Sequence, residues 1–301
     1  MKSYLKYPLV LFSCLSMFSC SSTKNDNKED DKPIVKEPSW EDDECLKILT
    51  IGNSFSDDSM EYVAEIAKDL GVKNIKLGNL YIGGCSLSKH YNNAIKDLKS
   101  YEYRTNQGNY WTNKKGVSIS EAIESENWDY ISIQQNSGDS GISSSYSPYL
   151  EDLITYIYNT ANEEAKIVFN MTWAYQQNST HQEFVKYNKN QITMYEAIIE
   201  AVKEKVRSNE DISMVIPVGT AIQNARTSFV GDTLTRDGYH LTYDFGRYVA
   251  GLTFVKQLTG LDISNVTFKP TKIDDSYRII AIESAINAVE HPEEITESQY
   301  K

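Results

Sequence analysis

The most constraining feature of this chain is an alternation. Short, almost continuously apolar runs of β-forming residues at 46–51, 74–82, 129–135, 166–173 and 213–218 are separated by segments with helical periodicity. A strand that is apolar on both faces must be covered on both faces, which argues for a parallel sheet between two helical layers. Right-handed crossovers then make the arrangement doubly wound. The expected fold is a three-layer α/β/α sandwich around a five-stranded parallel sheet. Helices are expected at 59–70, 86–98, 118–126, 148–162, 181–207, 241–259 and 274–289. In the first, Met60, Val63, Ile66, Ala67 and Leu70 share one face and Gly71 supplies a stop. Ser118 and Glu121 have the spacing of a capping box. Residues 101–115 break the rhythm. Tyr101, Tyr103, Tyr110 and Trp111 flank Asn106-Gln107-Gly108-Asn109, the pattern of a small hairpin or flap.

The N-terminal part stands apart from this alternation. Lys2 and Lys6 lead into a largely apolar run at 7–18, too short to span a bilayer. The run ends in Ser16-Met17-Phe18-Ser19-Cys20. A cysteine after a small residue at that point resembles a bacterial lipoprotein signal, in which Cys20 is lipidated and becomes the mature N-terminus. Residues 23–45 then carry nine acidic side chains against four lysines, as a solvated tether would. Within them, the acidic stretch 26–31 resembles the surface-export tags of some Gram-negative lipoproteins. The expected organisation is a signal peptide at 1–20, a flexible acidic tether at 21–45 and one globular domain at 46–301. The expected location is a Gram-negative envelope, at the outer membrane or cell surface, held to the membrane through the lipid alone. A formal net charge of −12 excludes nucleic acid as a partner, because phosphate binding needs a basic surface. Cys45 precedes the first strand and Cys85 follows the second. These are opposite ends of a parallel sheet, ~17–20 Å apart, so both read as free thiols.

In an open parallel sheet, ligands bind beyond the carboxyl ends of the strands. The polar groups expected there are Asn53 and Ser54, Gly83 and Gly84, residues 134–137, Trp173 and Tyr175, and Gly219. The loop Asp237-Gly238-Tyr239-His240 follows the last strand and can fold back over the same edge. Ser54 at a strand-to-helix turn reads as a nucleophile. Its other possible role, capping a helix, could equally fall to Ser56 or Asp57. His240 reads as its base and Asp237 as the carboxylate that fixes the imidazole tautomer. His90 reads as a rim or packing residue. Asn53, Trp173, Tyr175 and Trp111 are candidate substrate contacts, the aromatic ones and Tyr110 for stacking against a sugar ring. No His or Cys cluster has zinc-ligand spacing and no glycine run matches a phosphate-binding fingerprint, so no cofactor or metal is expected.

These residues resemble those of the SGNH (GDSL-type) hydrolases, a family of esterases and lipases. Gly52-Asn53-Ser54-Phe55-Ser56 resembles the family's first block, with Asn53 where an acid is commoner. Asp237-x-x-His240 resembles its last block. Gly84, in Ile82-Gly83-Gly84-Cys85-Ser86-Leu87, resembles the glycine whose backbone N–H helps form the oxyanion hole. The third block departs from the family pattern Gly-x-Asn-Asp, in which the asparagine side chain is an oxyanion donor. Here the chain reads Ile133-Gln134-Gln135-Asn136-Ser137. Asn136 aligns with that donor if Gln134 takes the glycine's place, and Gln135 is the alternative. The resemblance covers about residues 46–260. It is closest to a bacterial subfamily, often lipoproteins, with a motif like Gln-Gln-x-Ser on the third strand. It implies a flavodoxin-like sandwich of the SGNH type.

The function expected from these residues is a serine esterase that hydrolyses acyl esters, acetyl above all, on carbohydrates. Two rivals are a surface glycan-binding lipoprotein with a degenerate esterase fold, motivated by the irregular third block, and a lipase or phospholipase whose acyl pocket the 101–115 flap would cover.

Overall fold

The computed structural model describes residues 44–301 except Asn109 and Glu163. The expected signal peptide, the expected lipidation site Cys20 and all but the last two residues of the expected tether lie outside the described residues. A seven-stranded mixed sheet runs through the domain, in the order β4-β3-β2-β1-β5-β6-β7. Its parallel part consists of β1 (Cys45–Gly52), β2 (Asn74–Tyr81), β5 (Tyr130–Ile133), β6 (Lys166–Asn170) and β7 (Met214–Ile216). These are the five apolar runs of the sequence. The expectation of a five-stranded sheet is corrected by residues 101–117. They form β3 (Tyr101–Asn106) and β4 (Trp111–Val117), an antiparallel hairpin that pairs along the outer edge of β2. It was legible as a hairpin. Its docking to the sheet was not, because β4 is polar and exposed over most of its length.

The helices are α1 (Ser54–Met60), α2 (Val63–Asp69), α3 (Leu87–Ile95), α4 (Ile119–Ile123), α5 (Tyr149–Thr160), α6 (Gln191–Lys205), α7 (Val218–Arg226), α8 (Phe245–Thr259) and α9 (Asp275–Glu290). One packed group holds α1, α2, α7, α8 and α9, and another holds α3, α4 and α5. Between them the central strands are buried on both faces: every residue of β5 and the last five of β1 are buried. The capping box of α4 forms as expected, with Ser118 accepting from the Glu121 N–H while the Glu121 carboxylate accepts from the Ser118 N–H.

The helix expected at 59–70 starts at Ser54 and is broken at Glu61 and Tyr62 into α1 and α2. Two further helical expectations fail for physical reasons. The single helix expected at 181–207 is a 3₁₀ turn (Gln182–Tyr187) followed by α6. Asn188 and Lys189 between them are left-handed, and Asn190 caps α6 by accepting from the Thr193 N–H. Asparagine tolerates the left-handed region and competes for backbone donors, which ends helices. The other failure is α7, which has no counterpart in the sequence reading. All nine of its residues are buried although four of them, Thr220, Gln223, Asn224 and Arg226, are polar, so its composition reads as surface loop rather than as a core helix.

Cys45 begins β1 rather than preceding it, and Cys85 lies beyond the carboxyl end of β2; both are free thiols. Cys85 is wholly buried, and that burial pushes its thiol up to about 12, which leaves it unreactive. Beside it, the His90 Nδ1 lies 2.8 Å from the Tyr101 hydroxyl, tying α3 to β3. His90 is also fully buried, and burial pulls its imidazole down to about 3. It is a packing residue. The folded state therefore holds His90 neutral, while the unfolded chain takes up a proton below the ordinary imidazole range. The His90 contribution to stability is full above that range and is lost as pH falls from about 6.5 toward 3, at roughly 1.4 kcal/mol per pH unit. Urea unfolding at pH 6.5 and pH 5 should give a steeper loss for the wild type than for His90→Gln, and equal losses would contradict it.

Candidate active site

The carboxyl edge of the parallel strands is closed by a belt of buried polar side chains. β1 turns directly into α1 through Gly52 and Asn53. A Cβ on Gly52 would lie 2.6 Å from the Ser56 hydroxyl, so the turn can be this sharp only with glycine. Asn53 is the N-cap of α1: its Oδ1 accepts from the Phe55 N–H at 2.9 Å and from Gln134 Nε2 at 2.9 Å. Its Nδ2 donates to the Cys85 carbonyl at 3.0 Å. Gln134, just past β5, accepts in turn from Asn170 at the end of β6, at 3.1 Å. Asn53 thus links the exits of β1, β2, β5 and β6. It is buried, which corrects the expectation that it contacts substrate.

The turn leaves Ser54 half-buried as the first residue of α1, where no preceding helical turn supplies a carbonyl for its N–H. Its Oγ lies 2.8 Å from His240 Nε2, and His240 Nδ1 lies 2.6 Å from Asp237 Oδ2. The second Asp237 oxygen accepts from the backbone N–H groups of His240 at 2.8 Å and Tyr239 at 3.2 Å. Partial burial alone would push the Asp237 carboxyl up. The hydrogen bonds from the His240 ring and from these two N–H groups outweigh it and hold the carboxyl below its ordinary range. A carboxylate facing Nδ1 places the imidazole proton there and leaves Nε2 to accept from the serine hydroxyl.

The loop that carries His240 is clamped on several sides. The Arg236 N–H donates to the His240 carbonyl at 2.9 Å, and Thr235 and Leu241 form an antiparallel bridge. From the segment after β6, Trp173 Nε1 donates to the Tyr239 carbonyl at 2.7 Å and the Gln176 N–H to the Gly238 carbonyl at 2.8 Å. Gly238 has a φ of 92°, and a Cβ there would meet Ser179 at 2.9 Å. From the other side comes Asp58, which sequence reasoning missed. Its carboxylate is wholly inaccessible, accepts from the Leu241 N–H at 2.8 Å, and is ion-paired with Arg236 and Arg247. Burial pushes this carboxyl up, and the two guanidinium groups pull against that. An aspartate one turn into a short polar helix reads as solvated surface, so only its distant partners reveal its place.

The remaining expected residues divide. Gly84 is exposed, with a φ of 61°, in a turn closed by the Cys85 N–H on the Ile82 carbonyl at 3.2 Å. Gln135 is buried and fully used. Its Nε2 donates to the Ser145 carbonyl at 3.1 Å and hydroxyl at 3.0 Å, while its Oε1 accepts from the N–H groups of Leu87 and Asn136. Asn136 is half-buried. Its Oδ1 accepts from the Asp139 N–H at 3.0 Å, and no partner of its Nδ2 appears among the described residues.

The aromatic expectations are corrected. Trp173 and Tyr175 are fully buried: Trp173 packs under Phe55, with ring centroids 4.1 Å apart, and the Tyr175 hydroxyl lies 2.8 Å from that of Ser137. Trp111 and Tyr110 stand at the wrong end of the sheet. Trp111 pairs with Asn106, which pairs with Leu77, four residues before the end of β2 and about 13 Å back from the site edge. The aromatic surface beside His240 is instead Tyr239, 4.2 Å away between ring centroids, with His181 against it at 4.6 Å. Both are half-buried. Tyr239 lies inside the Asp-x-x-His segment and could have been suspected from that alone. Among the described residues, no group of three or more His, Cys, Asp or Glu side chains could hold a metal ion.

Comparison with known proteins gives the following. Residues 47–288 match the model of a domain of unknown function, DUF4886. No curated protein matches the chain. It is similar to the crystal structure of a DUF4886 family protein from Bacteroides uniformis, with 40% identity and a TM-score of 0.81, covering 84% of this chain and 98% of that one. It is more distantly similar to Axe2, an acetylxylan esterase from Geobacillus stearothermophilus, with 14% identity and a TM-score of 0.48, covering 71% of this chain and 94% of that one.

The Asn53 belt predicts a measurable stability effect. Asn53→Ala removes the α1 cap and strands the Gln134 amide in a buried site, and should destabilise the fold by ~2–4 kcal/mol. Chemical denaturation gives the number, and a loss under about 0.5 kcal/mol would show that the belt is not what closes this edge.

Proposed function

The chain belongs to the DUF4886 family, and we propose that it is a serine esterase acting on acyl esters of carbohydrates, acetyl esters above all. The observation that carries this reading is the unbroken hydrogen-bonded line Asp237–His240–Ser54, at 2.6 and 2.8 Å. Ser54 Oγ attacks the ester carbonyl while His240 Nε2 takes its proton, and Asp237 stabilises the imidazolium that forms. The tetrahedral oxyanion is held by the N–H groups of Ser54 and Gly84 and by Asn136 Nδ2. Asn136 takes this role rather than Gln135, whose amide hydrogens are both directed at Ser145. His240 then protonates the leaving alkoxide, and water activated by the same imidazole hydrolyses the acyl-enzyme. Lipidation at Cys20 would tether this chemistry to the membrane of a Gram-negative envelope.

The intact line favours turnover over a glycan-binding remnant. The lipase reading loses its main support, because the tip of the 101–115 hairpin lies toward the amino ends of the parallel strands and cannot cover Ser54. The carbohydrate reading rests on Tyr239 with His181 beside it, a half-buried aromatic face next to the base of the kind on which sugar rings pack.

Turnover of a short-chain aryl acetate tests the mechanism. Ser54→Ala and His240→Ala should each lower kcat by ~10⁴–10⁶, to a small residual rate still above that of water, and Asn136→Ala should lower kcat by ~10²–10³. Wild-type activity that survives in Ser54→Ala rejects the proposal. The substrate class is tested by Tyr239→Ala. Its loss of kcat/KM on an acetylated oligosaccharide should exceed its loss on a small aliphatic acetate by up to about tenfold, and equal losses would remove the stacking argument.

A further inference from the structure

We infer that Asp58 is a positioning residue for His240: a buried strut that sets the distance between the imidazole and Ser54. The inference rests on the serine esterase reading and adds to it a residue that never touches substrate.

The argument is geometric. Ser54 and Asp58 are one turn apart on α1, a rise of ~6 Å. On the facing loop, Leu241 is the residue after His240. The Asp58 carboxylate accepts from the Leu241 N–H at 2.8 Å, and His240 Nε2 meets Ser54 Oγ at 2.8 Å. A closed ring results, running from Ser54 along α1 to Asp58, across to Leu241, back one residue to His240 and across to Ser54. Within it the only non-covalent link besides the serine–imidazole contact is the Asp58–Leu241 bond. The carboxylate has no freedom to yield. It is wholly inaccessible, Arg247 Nε from α8 lies 2.8 Å from its Oδ1, and Arg236 from the His240 loop lies at 3.0 Å. Arg236 also donates to the Leu241 carbonyl, so both polar groups of the Leu241 peptide unit are gripped. Glu61 also faces the cluster, sharing Arg247 at 2.9 Å, and Asp57 adds a further carboxylate near that guanidinium.

Asn at position 58 keeps the shape but not the accepting capacity. Whichever way its amide is turned, an NH₂ faces either the Leu241 N–H or a guanidinium, and one hold is lost. A displacement of about 1 Å at His240 costs on the order of 100-fold in rate. Asp58→Asn should therefore lower kcat on a short-chain aryl acetate by about that factor, with KM little changed, assayed where circular dichroism shows the protein folded. A residue that only stabilised the fold would not couple to His240. The deciding measurement is the double variant: in a His240→Ala background, Asp58→Asn should cause no further loss of residual turnover. A proportional loss in both backgrounds, or full activity of folded Asp58→Asn, overturns the inference. If Asp58→Asn does not fold, Arg236→Gln carries the same comparison with a smaller expected loss, again absent in the His240→Ala background. A wild type inert toward the ester and toward a fluorophosphonate probe would reject the esterase reading instead. In that case a crystal structure decides: His240 Nε2 remaining within about 3.2 Å of Ser54 Oγ in Asp58→Asn overturns the strut.

Discussion

Parallel strands that end at one edge leave peptide groups and side chains pointing at a surface that neither helical layer covers. In this domain Asn53 resolves that problem. One side chain caps α1, accepts from Gln134 and donates to the Cys85 carbonyl, and so joins the exits of four strands. Each bond is worth only ~1 kcal/mol net, but an unpaired group in so buried a place would cost more than that. The position of Ser54 follows from this closure. The serine sits one residue beyond the cap, on a turn that Gly52 keeps too tight to relax.

How far the sequence disclosed this depends on the range of the interaction. Continuous apolar runs announced all five parallel strands, because a strand buried on both faces can be little else. Ser54, Asp237 and His240 were legible because the strand-to-helix turn and the Asp-x-x-His spacing are local patterns. Asp58 was not, since its partners Arg236, Leu241 and Arg247 lie more than 170 residues away. Trp173 and Tyr175 were misread for the opposite reason. Their place just beyond a strand end suggested a rim, but the chain continues inward there, and the Trp173 indole reaches up from the core to hold the Tyr239 carbonyl. For α7, polar residues such as Gln223, Asn224 and Arg226 suggested a surface loop, although the fold buries all of them.

Two different kinds of restraint meet at His240. On one side are individual hydrogen bonds: a turn closed by the Asp237 carboxylate, and links from the Trp173 indole and the Gln176 N–H. On the other is a desolvated ionic knot of one carboxylate and two guanidinium groups. Such a knot adds little net stability over an apolar filling, but breaking it halfway is costly, so it is suited to holding one geometry against alternatives. The loop is thereby defined from both flanks although it has no regular secondary structure.

The β3–β4 hairpin has a bearing on how copies of this protein meet one another. By pairing with β2 it moves the margin of the sheet out to β4, where Lys114 and Lys115 are exposed and the register is interrupted opposite Tyr101 and Glu102. The other margin, β7, is only three residues long. A charged, irregular border on one side and a very short one on the other give an incoming strand no template on which to zip. Crowded molecules can therefore collide without growing into a shared β-structure.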